Sequence, residues 1–370
     1  MAVGIIGAVL IAPYVGLVFW MLYVWKRASN EVPAAISDRK VVISVVIPYR
    51  NEETHLALCL NSVLQQSYPH VEIIAVNDGS TDASVRIANE LLQGPHRAID
   101  SVGTGKKAAL NTGIQASGGT LIATLDADTV VGSDWLKEIV HQFDNQHLGL
   151  LIMPVRLRSE QLKDFLMSLE FLSLMGSGIA CAAGGKPLMA NGANLAFRRA
   201  AFDAVGGYSG HAHISSGDDH FLVRDLADTS YEIKATIHPH TVAESIPPVS
   251  WKAWFSQRIR WGGKSRRENR AFAKWVTALV LLANLTLVVA AAGMCLDHTW
   301  LKPYIVLTLF KSLADCVFLL RITRAVHQRE LLWVFPWLMV LNPFLLVISA
   351  LLSLTAGTTW KGREVVVRGL

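Results

Sequence analysis

Asp126-Ala127-Asp128 sets two carboxylates one residue apart, directly after the short apolar run Leu121 to Leu125. Such a pair repels itself, and burying it unpaired would cost several kcal/mol. A hard divalent cation, Mg2+ or Mn2+, removes the conflict, because it takes oxygen ligands and commonly bridges a carboxylate to substrate phosphates. Asp126 and Asp128 are therefore the metal-ligand candidates. Other polar motifs also follow apolar runs. Pro48-Tyr49-Arg50-Asn51-Glu52-Glu53, taken alone, reads as a turn and an acidic first helical turn that complements the helix dipole. Asn77-Asp78-Gly79-Ser80-Thr81-Asp82 reads as a turn and a cap, whose carboxylate can also accept hydrogen bonds from a base or ribose. Gly105-Lys106-Lys107-Ala108-Ala109-Leu110-Asn111 is a basic helix start, with a lysine able to meet phosphate charge. Ser216-Gly217-Asp218-Asp219-His220 again places adjacent acids after a glycine. Gln257-Arg258-Ile259-Arg260-Trp261, behind Trp251-Lys252-Ala253-Trp254-Phe255, has the character of an amphipathic helix on a membrane surface.

Regular elements must carry these motifs. Val41 to Ile47 is β-branched and ends at Pro48, which predicts a buried strand. Val71 to Val76 and Leu121 to Leu125 predict two more. Leu56, Leu60, Val63 and Leu64 have helical spacing within Glu53 to Gln66, and Ala83 to Leu92 predicts a second helix. Strand and helix alternating at this interval predict βαβ units and a mostly parallel sheet. In such a sheet a ligand sits beyond the carboxyl ends of the strands, which is where the motifs fall.

The 370 residues are 52% hydrophobic and only 17% charged, with a mean hydropathy of +0.35, too apolar for an ordinary soluble enzyme. The surplus lies at the two ends. Val3 through Trp25 has no charged side chain and is followed by Lys26 and Arg27, which predicts a retained membrane anchor over 1–27 rather than a cleaved leader. Trp275 to Cys295, Pro303 to Leu320 and Leu331 to Leu354 are three further spans within 273–357. Pro336, Asn342 and Pro343 leave two forms open for the last, a full crossing or a broken hairpin. The tail over 358–370 carries Lys361, Arg363 and Arg368.

Arg258, Arg260, Lys264, Arg266, Arg267, Arg270 and Lys274 precede the first C-terminal span, which places the central region over 40–250 and the interface helix over 251–272 on the cytoplasmic side of a multi-pass inner-membrane protein. The net charge of +5 thus belongs to membrane topology, and no nucleic-acid module is present in the sequence. Four scattered cysteines suggest neither a disulfide framework nor a metal cluster.

In this order the motifs resemble family 2 glycosyltransferases with a GT-A fold, and among them the membrane-integrated cellulose, hyaluronan and poly-N-acetylglucosamine synthases. The similarity runs over residues 42 to 262, and the ordered set ending in QxxRW is its most specific part. The resemblance implies a Rossmann-like α/β catalytic domain beside transmembrane helices, a nucleotide-sugar donor, a divalent cation, membrane lipid, and a glycan or lipid-linked acceptor. It implies that Pro48, Glu52 and Asp78 line the nucleoside site, with Asn77 standing where many members carry an aspartate. It implies donor contacts from Lys107, Asn111 and Asp126, a metal on Asp128 and Asp126, and a base at Asp219 beside Asp218. Gly192-Ala193-Asn194 resembles the loop around the donor sugar, followed by Phe197-Arg198-Arg199 and Gly206-Gly207-Tyr208. Gln257, Arg260 and Trp261 supply QxxRW, the arginine for diphosphate and the tryptophan for a sugar face. The implied reaction is inverting hexosyl or N-acetylhexosaminyl transfer from a UDP-sugar. Single transfer to a polyprenyl-phosphate or glycolipid acceptor, and a non-catalytic scaffold, are the competing readings.

Overall fold

The structure is a computed structural model that describes residues 2–29, 40–208, 217–265, 269–355, 358–360 and 363–365. Most of the linker expected over Ala28 to Lys40, together with Ser216, Arg266, Arg267, the side chains of Asp218 and Lys264, and most of the 358–370 tail, lies outside the described residues. The chain divides into two compact units. One comprises Trp25–Arg158 and Met175–Ile246, and the other Met1–Val24, Ser159–Leu174 and Pro247–Leu370.

In chain order the elements are helix α1 (Ala2–Ser29), β1 (Ile43–Tyr49), α2 (Leu56–Leu64), β2 (Val71–Asn77), α3 (Ser84–Leu91), β3 (Arg97–Asp100), α4 (Lys106–Ala116) and β4 (Leu121–Leu125). There follow β5 (Val130–Val131), α5 (Trp135–Gln142), β6 (Leu148–Ile152), β7 (Val155–Leu157), α6 (Leu162–Ala183), β8 (Asn194–Arg198), α7 (Arg199–Ala204) and α8 (Asp218–Ala227). The chain continues through β9 (Glu232–Ala235), β10 (Ala243–Ser245), α9 (Trp251–Ser265), α10 (Ala271–Leu296), α11 (Leu301–Ala325) and α12 (Phe335–Thr355), then a short ribbon of β11 (Thr358–Trp360) and β12 (Arg363–Val365).

The first unit holds a seven-stranded sheet in the order β3-β2-β1-β4-β8-β6-β9. Among the described strands of this sheet only β8 runs against the rest. Side chains alternate between its faces. Ile43, Val45 and Ile47 of β1 join Leu56, Leu60 and Val63 of α2 in one buried cluster, with Trp135 and Ile139 of α5. Val46 points the other way, where α4 lies close. A Cβ on Gly113 would stand 2.9 Å from a Val76 methyl, so the α4 backbone can rest on the sheet only because that position is glycine.

The expected strand boundaries are close to those observed. β1 runs through Pro48 instead of ending before it: its ladder to β4 stops at Val46, while that to β2 continues to Tyr49. A missing N–H is tolerated where one neighbouring strand has already departed. α2 starts at Leu56 rather than Glu53, because residues 51–53 are hydrogen-bonded to the loop after β2.

The second unit is helical. α10 packs against α11 and α12, and α9 packs against α12. Of the helices long and apolar enough to cross a membrane, Gly4–Ala28, Ala271–Leu296 and Arg329–Ser353 bury only 33%, 33% and 28% of their apolar window, whereas Leu162–Ala183 buries 72%. The first three keep large apolar side chains outward, including Ile6, Phe19, Leu285, Val289, Leu341 and Ile348, as lipid-facing helices do and soluble ones rarely can. α12 is continuous through Pro343, so the expected alternative of a broken hairpin is not what forms. In α11, Lys311 is only 4% exposed; it binds Asp315 at 2.7 Å, and Asp315 accepts from the Tyr14 hydroxyl at 2.6 Å.

Asn194 ties the first unit together. Its Nδ2 donates to the Pro154 and Thr241 carbonyls at 2.7 and 2.8 Å, and its Oδ1 accepts from Trp135 Nε1 at 3.0 Å, all of it buried. Asn194→Leu strands those three groups at about 1–3 kcal/mol each, so a marked fall in the melting temperature of the detergent-purified protein is expected.

Candidate active site

Three adjacent parallel strands deliver the acids. β2, β1 and β4 end beside one another, and Asp78, Glu52 and Asp126 lie just beyond those ends. The loops after β1 and β2 are laced together: Ser84 Oγ accepts from Glu52 N at 2.8 Å, Asp82 from Glu53 N at 3.0 Å, and Glu53 from Ala83 N at 3.0 Å. Asn51 adopts φ 52 and accepts from Thr81 N at 2.8 Å. Asp82 stays below the usual carboxylate range; burial works to raise it, but donation from Ser84 and the Glu53 N–H outweighs that.

Asp78 is buried and accepts from Gly105 N at 2.8 Å. Gly105 caps α4 at φ 98, a conformation that glycine adopts without strain. One residue later, Lys106 Nζ reaches Asp126 Oδ1 at 2.5 Å. The first turn of α4 therefore bridges the ends of β2 and β4.

Sequence reasoning named Lys107 for the donor. The structure buries Lys107 and sets its Nζ 5.1 Å from the centre of the Phe221 ring, while Lys106 faces the acids. The helical pattern carries the signal, because Lys107, Leu110 and Ile114 share the buried face of α4 and Lys106 is rotated off it. Asn111 is half-buried on the same helix.

Asp128 accepts from Thr129 Oγ1 at 3.2 Å and from Ser245 Oγ, at the end of β10, at 3.3 Å. Beneath the pair, the Cys59 thiol is pushed well up by burial and then by the charges of Asp128 and Asp126; it donates to the Asp126 carbonyl at 3.5 Å. It is a buried thiol, unsuited to act as a nucleophile.

Asp219 stands in the first turn of α8. Its Oδ1 accepts from His220 N at 2.7 Å and its Oδ2 from Gly192 N at 3.3 Å. The Gly192 carbonyl accepts from Thr124, two residues before Asp126, at 3.2 Å. A single residue, Gly192, thus connects the carboxylate strand to the base candidate through its N–H and its carbonyl, a link that the sequence did not reveal. Asp218 opens the same helix. Phe197-Arg198-Arg199 proves structural: Arg199 binds the Gly119, Ile114 and Ser117 carbonyls at 2.8, 2.9 and 2.9 Å and closes the end of α4.

In the helical unit, Gln257, Arg260 and Trp261 lie on α9, all partly exposed. The buried cation between them is Arg258. It pairs with Glu170 of α6 and donates to Gln257 Oε1 at 3.1 Å.

Asp126 and Asp128 fit a hard divalent cation, since both offer anionic oxygen, and a lysine ammonium already rests on Asp126. No group of three or more His, Cys, Asp or Glu side chains among the described residues is arranged to hold a metal.

Residues 44–206 match Glycosyl transferase family 2. The chain carries a family 2 glycosyltransferase domain. It is 37% identical over 99 residues to the glycosyltransferase GlyA of Streptococcus pneumoniae, a match covering 26% of this chain and 14% of that protein. Against a poly-beta-1,6-N-acetyl-D-glucosamine synthase of Staphylococcus epidermidis it is 26% identical over 337 residues, 80% of this chain and 77% of the relative. The mannosyltransferase PcManGT of Pyrobaculum calidifontis, solved with GDP-Man and Mn2+, superimposes with a TM-score of 0.59 at 19% identity, covering 88% of this chain and 99% of that one. The family 2 domain has the GT-A fold expected from its motifs.

Tyr49, at the end of β1 in this domain, is buried, and its phenol is pushed up to about 12 by burial and then by Asp100 and Asp82. An unfolded tyrosine ionises near ~10. The stabilisation is full below that value and is lost as pH rises through about 12. Alkaline melts should therefore show the parent protein losing stability relative to Tyr49→Phe between those values, with phenolate absorbance reporting the ionisation.

Proposed function

We propose that this chain is a membrane-bound inverting glycosyltransferase that moves a sugar from a nucleotide diphosphate sugar to a hydroxyl of a glycan or lipid-linked saccharide. The observation that carries this is the set of acids beyond three neighbouring parallel strands, with Lys106 against Asp126. Asp78 and Glu52 serve the nucleoside, and Lys106, with Asn111 behind it, serves the diphosphate. Asp126 and Asp128 hold Mg2+ or Mn2+, which when bound neutralises charge on the departing diphosphate.

Asp219 is the base. Two backbone N–H groups aim its carboxylate, and it takes the proton of the acceptor hydroxyl as that oxygen attacks the anomeric carbon. The bond from this carbon to the diphosphate oxygen breaks on the opposite face, so the centre inverts, through an oxocarbenium-like state of the kind glycoside hydrolysis uses. Gln257, Arg260 and Trp261 contribute a donor amide, a guanidinium suited to diphosphate and a flat apolar face. The apolar helices anchor the chain, and the basic residues around α9 and α10 support a cytoplasmic position for the family 2 domain. UDP-sugars are the first donors to try.

Release of nucleoside diphosphate from UDP-, GDP- and dTDP-sugars by the detergent-purified protein tests this, with Mg2+ or Mn2+ present or chelated. Asp219→Asn is expected to lose roughly 10²–10⁴-fold in kcat at an unchanged melting temperature. Full activity in that variant removes Asp219 as base. Lys106→Met is expected to raise the donor KM and, without nucleotide, to tighten Mn2+ binding measured by electron paramagnetic resonance, since Asp126 then has no ammonium to displace.

A further inference from the structure

Arg258 falls at the unspecified second position of QxxRW, yet it is the most enclosed cation among the described side chains of α9, 8% exposed. Its guanidinium lies near two indoles, 5.0 Å from the centre of Trp254 and 4.5 Å from that of Trp261. Its Nε donates to Glu170 Oε1 at 2.9 Å, its Nη2 pairs with Glu170 Oε2, and its Nη1 donates to Gln257 Oε1 at 3.1 Å. Phe171, next to Glu170, lies tilted against Trp261 at 6.2 Å between ring centres.

A guanidinium can only donate. Its partner on Gln257 must therefore be the carbonyl oxygen, which fixes which end of that amide points where. The Gln257 NH2 is then the group turned toward any ligand. Trp261 is contacted both by this cation and by the Phe171 ring. A buried pair of charges is costly unless its remaining donors are used; here one donates to Gln257, and the guanidinium also lies over the Trp261 ring.

We propose that Arg258, held by Glu170, is a positioning residue that presents Gln257 as a hydrogen-bond donor and Trp261 as a fixed flat surface to the substrate. This rests on the reading of Gln257 and Trp261 as substrate-facing. Lysine cannot replace Arg258, because it lacks both the plane that stacks and the fork that spans Glu170 and Gln257.

The test uses the full chain in detergent, with kcat, donor KM and melting temperature measured together. Gln257→Ala and Trp261→Ala come first; if both turn over normally, the substrate-facing reading fails and there is nothing for Arg258 to position. Gln257→Glu keeps the acceptor for Arg258 but has no NH2, so it is expected to match Gln257→Ala in activity while melting like the parent; parental activity there overturns the proposal. Arg258→Lys is expected to lower kcat by roughly 10²-fold, the size of effect an ångström-scale misplacement produces, with a smaller change in donor KM. The exchange Arg258→Glu with Glu170→Arg restores a charge pair but not the contacts to Gln257 and Trp261. Recovery of the melting temperature without kcat supports positioning, and recovery of both shows that only the charge pair mattered.

Discussion

The mutual repulsion of carboxylates gathered at one edge of a parallel sheet is the constraint that the rest of the family 2 domain answers. β1, β2 and β4 are mostly apolar within and end beside one another, which gathers the polar groups that follow them at the same edge. The first turn of α4 reconciles them, with a backbone N–H on Asp78 and an ammonium on Asp126. That turn is held in turn by Gly113 against the sheet and by Arg199 at the far end of the helix. What looks like a loop-built site is thus anchored at both ends of one helix. Structural order and charge neutralisation have the same source.

Much of this was legible in the sequence because burial writes itself in residue type. β4 was legible to the residue, since the run Leu121 to Leu125 is apolar apart from Thr124 and stops at Asp126. The strand-end acids were legible because the sheet topology leaves them one location. β8 was not: an antiparallel strand inserted between two parallel ones has the same composition as its neighbours, and only pairing reveals it.

That Lys106, and not Lys107, pairs with Asp126 could not be read from the motif's spelling, because one position along a helix turns a side chain by a large angle. The late start of α2 has another cause, since the backbone of 51–53 found partners thirty residues away that no local pattern shows. Arg258 was passed over because a motif written with a blank invites the blank to be ignored. Its importance lies in contacts with Glu170, far away in sequence.

The trio of Tyr14, Lys311 and Asp315 carries a consequence for how the protein is made. An ammonium and a carboxylate on one helix are tolerable in an apolar surrounding only once each has its partner, and part of that partnership sits 301 residues upstream. The amino-terminal helix is synthesised first, presenting a hydroxyl whose acceptor does not yet exist. α11 therefore completes a contact that α1 has been holding open throughout translation, and assembly of the helical unit must wait for its penultimate long helix.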